Sequence, residues 1–146
     1  MKPEIKQVKV KNILNLRHQV LRIGRPILTA HFEGDSLDST MHFAAIYKSK
    51  TIGCLSLMYK TNSNFKEKKA FQLRGMAVNV DYRSQSVGKQ LLNYAEQQLK
   101  LKESTLIWCN VRTSAMKFYS KHGYTQFGDT FEIPDVGPHV LMFKKI

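Results

Sequence analysis

The residues of this chain that could do chemistry gather in a few places. Arg83-Ser84-Gln85-Ser86-Val87-Gly88-Lys89 follows a strand-like run and opens into Gln90-Leu91-Leu92. A strand, a tight turn and a helix in that order leave free backbone N–H groups at the helix start, where the helix dipole adds partial positive charge. Gly88 allows a ligand close to the backbone, and Arg83 and Lys89 can add full charges. Such a turn can cradle a phosphate, and by itself it also fits a plain connector. Tyr119 offers a phenol, although beside Phe118 on an amphipathic segment it also reads as ordinary packing. His139 follows Gly137-Pro138 at a strand start and can face an open cleft, or can serve structurally. Cys54 and Cys109 lie in apolar runs and read as buried thiols rather than a disulfide. No CxxC or HxxxH spacing occurs, so no zinc site is expected.

The elements that must position these groups follow from periodicity. Ile5–Val10 reads as a first strand. Asn12–Ile23 has a helical stripe of Ile13, Leu16, Val20 and Ile23, with Asn12 a candidate N-cap and Gly24-Arg25-Pro26 as the stop. Met41–Tyr47 and Thr51–Tyr59 form a hairpin across Lys48-Ser49-Lys50, and Ala70–Val80 is a further strand. Val87, Leu91, Ala95 and Leu99 define the apolar face of the helix after the turn. Thr105–Cys109 reads as a strand buried on both faces. Ser114–His122 is a helix stopped by Gly123. Tyr124–Phe127, Phe131–Ile133 and His139–Phe143 read as closing strands. Strand, helix, three strands, helix, strand, helix and closing strands predict an α/β domain: a mixed sheet of about six to seven strands with helices on its faces.

The 146 residues suit a single domain, residues 1–146, with one core. Neither a long apolar run nor a signal pattern is present, so a cytoplasmic protein with no membrane partner is expected. The formal net charge of +12 attracts polyanions, a phosphate-rich cofactor among them, but is spread along the chain. A nucleic-acid surface would interleave basic and exposed aromatic residues, whereas the aromatics here fall in strand-like runs. Nucleic acid is therefore not the expected main partner. Monomer and homodimer are both compatible with the sequence.

Met76 to Leu92, with Arg83 and Gly88 at the turn, resembles the acyl-CoA signature of the GNAT acetyltransferase superfamily. That signature is Arg or Gln, two residues, Gly, one residue, then Gly or Ala. Ser86 stands where the first Gly is expected, so the turn must suit a residue with a Cβ. Downstream, Asn110 to Tyr124 resembles the same family's Asn…Ala…Phe-Tyr-x-Lys-x-Gly-Phe segment. Leu16–Leu21 and Phe131–His139 are similar to a subgroup of uncharacterised bacterial members, so the resemblance spans nearly the whole chain.

The resemblance implies an acetyl-CoA-dependent N-acetyltransferase acting on an amine acceptor. The pantetheine arm would lie along Met76, Ala77 and Val78 between two splayed strands, with the Val78 N–H facing the thioester carbonyl. The pyrophosphate would sit on the N–H groups of Gln85, Ser86, Val87, Gly88 and Lys89, with Arg83 beside them. Asn110 would contact the pantetheine region. Tyr119 would be the general acid to the CoA thiolate. Many members carry a base Glu on the strand before the turn, where this chain has Gln72 and Arg74. The proton would then leave through water or to Glu132, His139, His31, Glu33 or Asp35. Arg74 would suit an acceptor bearing a carboxylate, or form a salt bridge. A non-catalytic acyl-CoA-binding module of the same fold is the alternative.

Overall fold

A computed structural model describes residues 1–146. Seven strands form one sheet: β1 (Glu4–Val8), β2 (Met41–Tyr47), β3 (Lys50–Tyr59), β4 (Ala70–Val78), β5 (Leu106–Arg112), β6 (Thr125–Ile133) and β7 (Gly137–Lys145). Their spatial order is β1-β2-β3-β4-β5-β7-β6. Every neighbouring pair is antiparallel except β4 and β5, which run parallel. Helices α1 (Leu14–Leu21), α2 (Val87–Leu101) and α3 (Met116–Lys121) complete the fold. No helix is long and apolar enough to cross a membrane.

Alternation along the strands sends side chains to two faces. On one face Phe43, Leu55, Leu73, Ile107 and Val140 join the stripe of α2 in the main core. Val87, Leu91, Ala95 and Leu99 are all buried there, as their spacing predicts. On the other face Ile13, at the cap of α1, and Leu16 within it pack on Ala44, Cys54 and Ala77. The helices therefore cover both faces of a mixed sheet. Cys54 and Cys109 are free and buried, and burial pushes the Cys54 thiol up to about 12.

Several boundaries differ from the periodicity: β1 ends at Val8, β4 at Val78, β5 runs on to Arg112, and the helix expected over Ser114–His122 is α3 after a 3-10 turn at Thr113–Ala115. Asn12 does not cap α1; it ends a short 3-10 turn, Val10–Asn12, and Ile13 takes the cap position without a side-chain bond. The helix stops at Leu21, so Ile23 leaves the apolar stripe and is 78% exposed. The two segments Tyr124–Phe127 and Phe131–Ile133 are one strand, β6. Its register passes from Phe127↔Leu141 to Phe131↔His139, so the extra residues around Gly128 (φ +77°) bulge out without ending the pairing. Gly123 (φ +93°) stops α3 as expected, with Tyr124 N–H donating to Tyr119 O and Gly123 N–H to Ser120 O.

Candidate active site

The only parallel pairing in the sheet is also its shortest. β4 and β5 share three rungs, Ala70↔Leu106, Phe71↔Ile107 and Gln72↔Trp108. Beyond Gln72 each strand follows its other neighbour, β4 along β3 and β5 along β7. Opposite β3 the register moves from Ser56↔Arg74 to Cys54↔Ala77, which places one extra residue at Gly75-Met76. Gly75 holds φ +67°, and a Cβ there would lie 3.0 Å from Arg17 Nε and 3.1 Å from the Phe32 ring. A bulge at a glycine with left-handed backbone and little room for a Cβ thus lies where β4 parts from β5.

The split opens a cleft of about 490 Å³. Met76, Cys109 and Tyr119 line it from the α2 side; Arg74, Arg112 and His139 line it from the other. Asn110 also lines it and is exposed. Tyr119 is only 6% exposed, and burial raises its phenol well above the ordinary value, with Cys109 adding to the shift. The phenol therefore keeps its proton through the neutral range. Phe118 of α3 and Tyr124 just beyond it hold the ring by edge contacts, at centroid distances of 5.1 and 5.5 Å.

A second pocket of about 450 Å³ lies at the start of α2, between the turn and α3. Arg83, Ser86, Gly88 and Lys89 line it, and α3 contributes Phe118 and Lys121. Gln90 N–H donates to Ser86 O at 3.0 Å as the first bond of the helix ladder, which leaves Val87, Gly88 and Lys89 N–H groups without an intrahelical acceptor. Ser86 holds φ +64° and ψ +18°, and Ser84 holds φ +63°. The position where the signature carries a glycine thus has a left-handed backbone here, held by a serine at a cost of about 1–2 kcal/mol. The space above Gly88 is filled by Phe118, whose ring would lie 3.2 Å from an added Cβ. Gln85 is exposed in the same turn.

The sequence-derived residues therefore fall into two groups. Val78 lines the turn-side pocket and Met76 the cleft with Tyr119, while Ala77 between them points into the α1 face. Asn79 N–H donates to Ile52 O of β3 at 2.8 Å, so by strand alternation the Val78 N–H faces away from β3, toward the open side. Arg83 Nε approaches Val78 O at 3.4 Å. Of the five base candidates, only His139 lines the cleft. Asp35 is consumed by Arg17, with 2.7 Å between Nη1 and Oδ2, and its carboxylate also meets His31 at 3.5 Å. His139 Nδ1 lies 2.8 Å from Gly137 O. A carbonyl only accepts, so Nδ1 carries the proton and Nε2 of the neutral ring holds the lone pair.

Three further residues escaped the sequence reading: Arg22, Phe32 and Arg112 all line the cleft. Arg17 supports them, with its guanidinium 3.9 Å from the Phe32 centroid and bonded to Asp35, Ala30 O and Ser56 Oγ. Its position between Ile13 and Val20 on the buried stripe of α1 was the available signal, because an arginine on a core face needs a buried partner.

The split parallel pair thus has an anion-ready turn beside it and a protonated phenol in its wall. A family model described as the acetyltransferase (GNAT) domain matches residues 38–126. The chain belongs to the GNAT acetyltransferase family. It is 30% identical over 143 residues to YitI of Bacillus subtilis (strain 168), described as an uncharacterized N-acetyltransferase, across 98% of this chain and 96% of that one. Among solved structures, an aminoglycoside 6'-N-acetyltransferase complexed with coenzyme A matches with a TM-score of 0.77 at 15% identity, covering 97% of this chain and 96% of that one. Escherichia coli ElaA matches with a TM-score of 0.79 at 15% identity, covering 97% and 99%. At those identities the likeness is one of fold.

Proposed function

We propose that this protein moves the acetyl group of acetyl-CoA to a primary amine by direct attack, with Tyr119 as general acid. The observation that carries the reading is the buried, proton-retaining phenol in the wall of the split between β4 and β5. The turn at Arg83–Lys89 would hold the pyrophosphate through the N–H groups of Gln85 to Lys89, helped by Arg83. Met76, Ala77 and Val78 would run beside the pantetheine arm, and Asn110 would bond it from β5. The Val78 N–H, assigned from the family pattern, would face the thioester carbonyl oxygen as negative charge builds there. Met76 shares the cleft with Tyr119 and is the neighbouring donor for the same task.

In the transfer, the amine nitrogen bonds to the carbonyl carbon and the carbon–sulfur bond breaks. Tyr119 gives its proton to the leaving thiolate, and the attacking amine loses one. His139 Nε2 is the base on the acceptor side of the cleft, in the role that a strand carboxylate fills elsewhere in the family. Gln72 and Arg74 occupy that stretch of β4. The lack of that carboxylate is what would favour the non-catalytic binding module.

Two measurements test the reading. Saturating acetyl-CoA raises the melting temperature, because a ligand that binds only the folded state stabilises it. No shift overturns both the enzyme and the binding module. Tyr119→Phe lowers kcat by roughly 10²–10⁴-fold while acetyl-CoA still raises the melting temperature. Unchanged turnover removes Tyr119 as the acid, and a wild-type protein that binds acetyl-CoA but never releases CoA leaves the binding module.

A further inference from the structure

The α1 side of the cleft concentrates positive charge that nothing in the protein neutralises. Arg22, Arg74 and Arg112 come from the end of α1, from β4 and from β5, and all three are half-buried in the wall of one cleft. The carboxylates that pair with cations in this protein are Glu4, Asp35, Glu96 and Glu103, and none of them pairs with these arginines. Asp35 lies nearest in the fold but both its oxygens are bonded to Arg17. Glu33 and Asp35 act on Arg74 only at a distance. Arg22 makes one hydrogen bond, to Leu21 O at 2.9 Å, and the guanidinium groups of Arg74 and Arg112 make none.

Two of the three are held in place. Phe32 carries the Arg74 guanidinium on its ring at 4.4 Å from the centroid and the Arg22 guanidinium at 5.3 Å, while Arg17 stacks at 3.9 Å. These ring contacts hold Arg74 and Arg22 against Phe32, and no hydrogen bond occupies the guanidinium N–H groups of Arg74 or Arg112, which leaves them open to an acceptor. Burial and mutual repulsion both act against the charges: Arg22 is held below its usual range by desolvation first, then by Arg112, Arg25, Arg74 and Arg17. Arg74 is lowered by desolvation and by Arg17. Like charges gathered in a partly desolvated wall are unfavourable until an anion joins them. Arg25 Nη2 reaches Asp135 O at 2.6 Å, tying the α1 end of the chamber to the β6–β7 turn.

We propose that the acceptor is a small amine that also carries a compact anion, a carboxylate or a phosphate monoester, gripped by Arg22, Arg74 and Arg112 with its amine toward His139. The inference rests on the transferase reading for the amine, and on the arginine chamber alone for the anion. His139 and Arg112 are register partners on β7 and β5, so the base and one of the anion-binding residues stand side by side across the ladder. That arrangement fits an amino acid or an aminoalkyl phosphate and excludes a polyamine, which the same charges repel.

Matched pairs of probes test it. Each amino acid is compared with its decarboxylated amine, and O-phosphoethanolamine with ethanolamine, by CoA release at saturating acetyl-CoA. The anionic member of the favoured pair shows a kcat/KM at least tenfold above its neutral partner. Carboxylate and phosphate are told apart by which pair responds. Arg74→Gln combined with Arg112→Gln drives that ratio toward one. Equal or better turnover of the neutral members overturns the proposal. Melting temperature with each probe and no cofactor reads the anion separately. If no amine is turned over but an anionic probe raises the melting temperature and its neutral partner does not, the transferase reading fails and the chamber stands. If no anionic probe is turned over above its partner or raises the melting temperature, the chamber assignment is wrong.

Discussion

Arg83, Lys89 and Lys121 around the turn-side pocket are exposed, whereas Arg22, Arg74 and Arg112 on the opposite side of the sheet are half-buried. The exposed set works with unbonded N–H groups at a helix start, which point one way whatever their side chains are. On the proposed reading it would recognise phosphate through backbone geometry, and the exposed cations would add attraction that salt screens. The half-buried set has no backbone component. Its selectivity depends on Phe32 stacking and on the Arg17–Asp35 pair beneath it. On the proposed reading a generic cofactor would meet a site made of main chain, and a particular acceptor one made of packed side chains.

The largest expected effect that separates the two sides is on stability. Arg17→Ala leaves Asp35 buried without its partner and costs about 3–5 kcal/mol in urea unfolding. A cost near that of an exposed substitution would break the claim that this pair supports the chamber. On the turn side, Arg83→Ala with Lys89→Ala weakens CoA binding about tenfold at low ionic strength, or about 1.4 kcal/mol. Calorimetric titration at rising salt should shrink that difference, since both cations are exposed. A difference that persists at high salt would mean the cations bind at fixed, desolvated positions.

Ser86→Gly sharpens the same comparison. Relieving the left-handed serine raises stability by roughly 1 kcal/mol and leaves CoA affinity intact, because the N–H groups stay in place. A loss of affinity would show that the hydroxyl itself contacts the ligand.

The smallest effect is a pH dependence under the chamber. His42 bonds Ser56 Oγ and Asp35 O through its two ring nitrogens, at 2.6 and 2.9 Å. Burial lowers its pKa, Arg17 and His31 add to that, and Asp35 opposes them. The unfolded chain therefore takes up the proton more readily than the folded one. His42 contributes stability above about pH 6.5 that is lost as pH falls through the lowered folded value. His42→Gln loses less stability than the wild type between about pH 7.5 and 5 in urea unfolding. Parallel curves for the two proteins would remove His42 as the titrating group.

Most elements were legible in the sequence because they obey local rules. The stripe Val87, Leu91, Ala95, Leu99 is a period of the helix itself, and Gly123 is a stop that needs only its own backbone. Where a tertiary contact overrode the pattern, the reading slipped. Gly128 and its neighbours look like a break, yet pairing with β7 carries β6 through the bulge. Ile23 has the right spacing, but α1 ends before it.

The sequence by itself determined the apolar stripe of α2, the stop at Gly123 and the order of strands and helices along the chain, since each depends on neighbours within about a dozen residues. Only the tertiary structure decided that β4 and β5 part after Gln72, that Asp35 is spent on Arg17, and that Arg22, Arg74 and Arg112 share one wall. The three arginines come from residues 22, 74 and 112, and no local spacing relates them. Whether a charge is paired depends on what the fold brings near it, and that is set by packing across the sheet rather than along the chain.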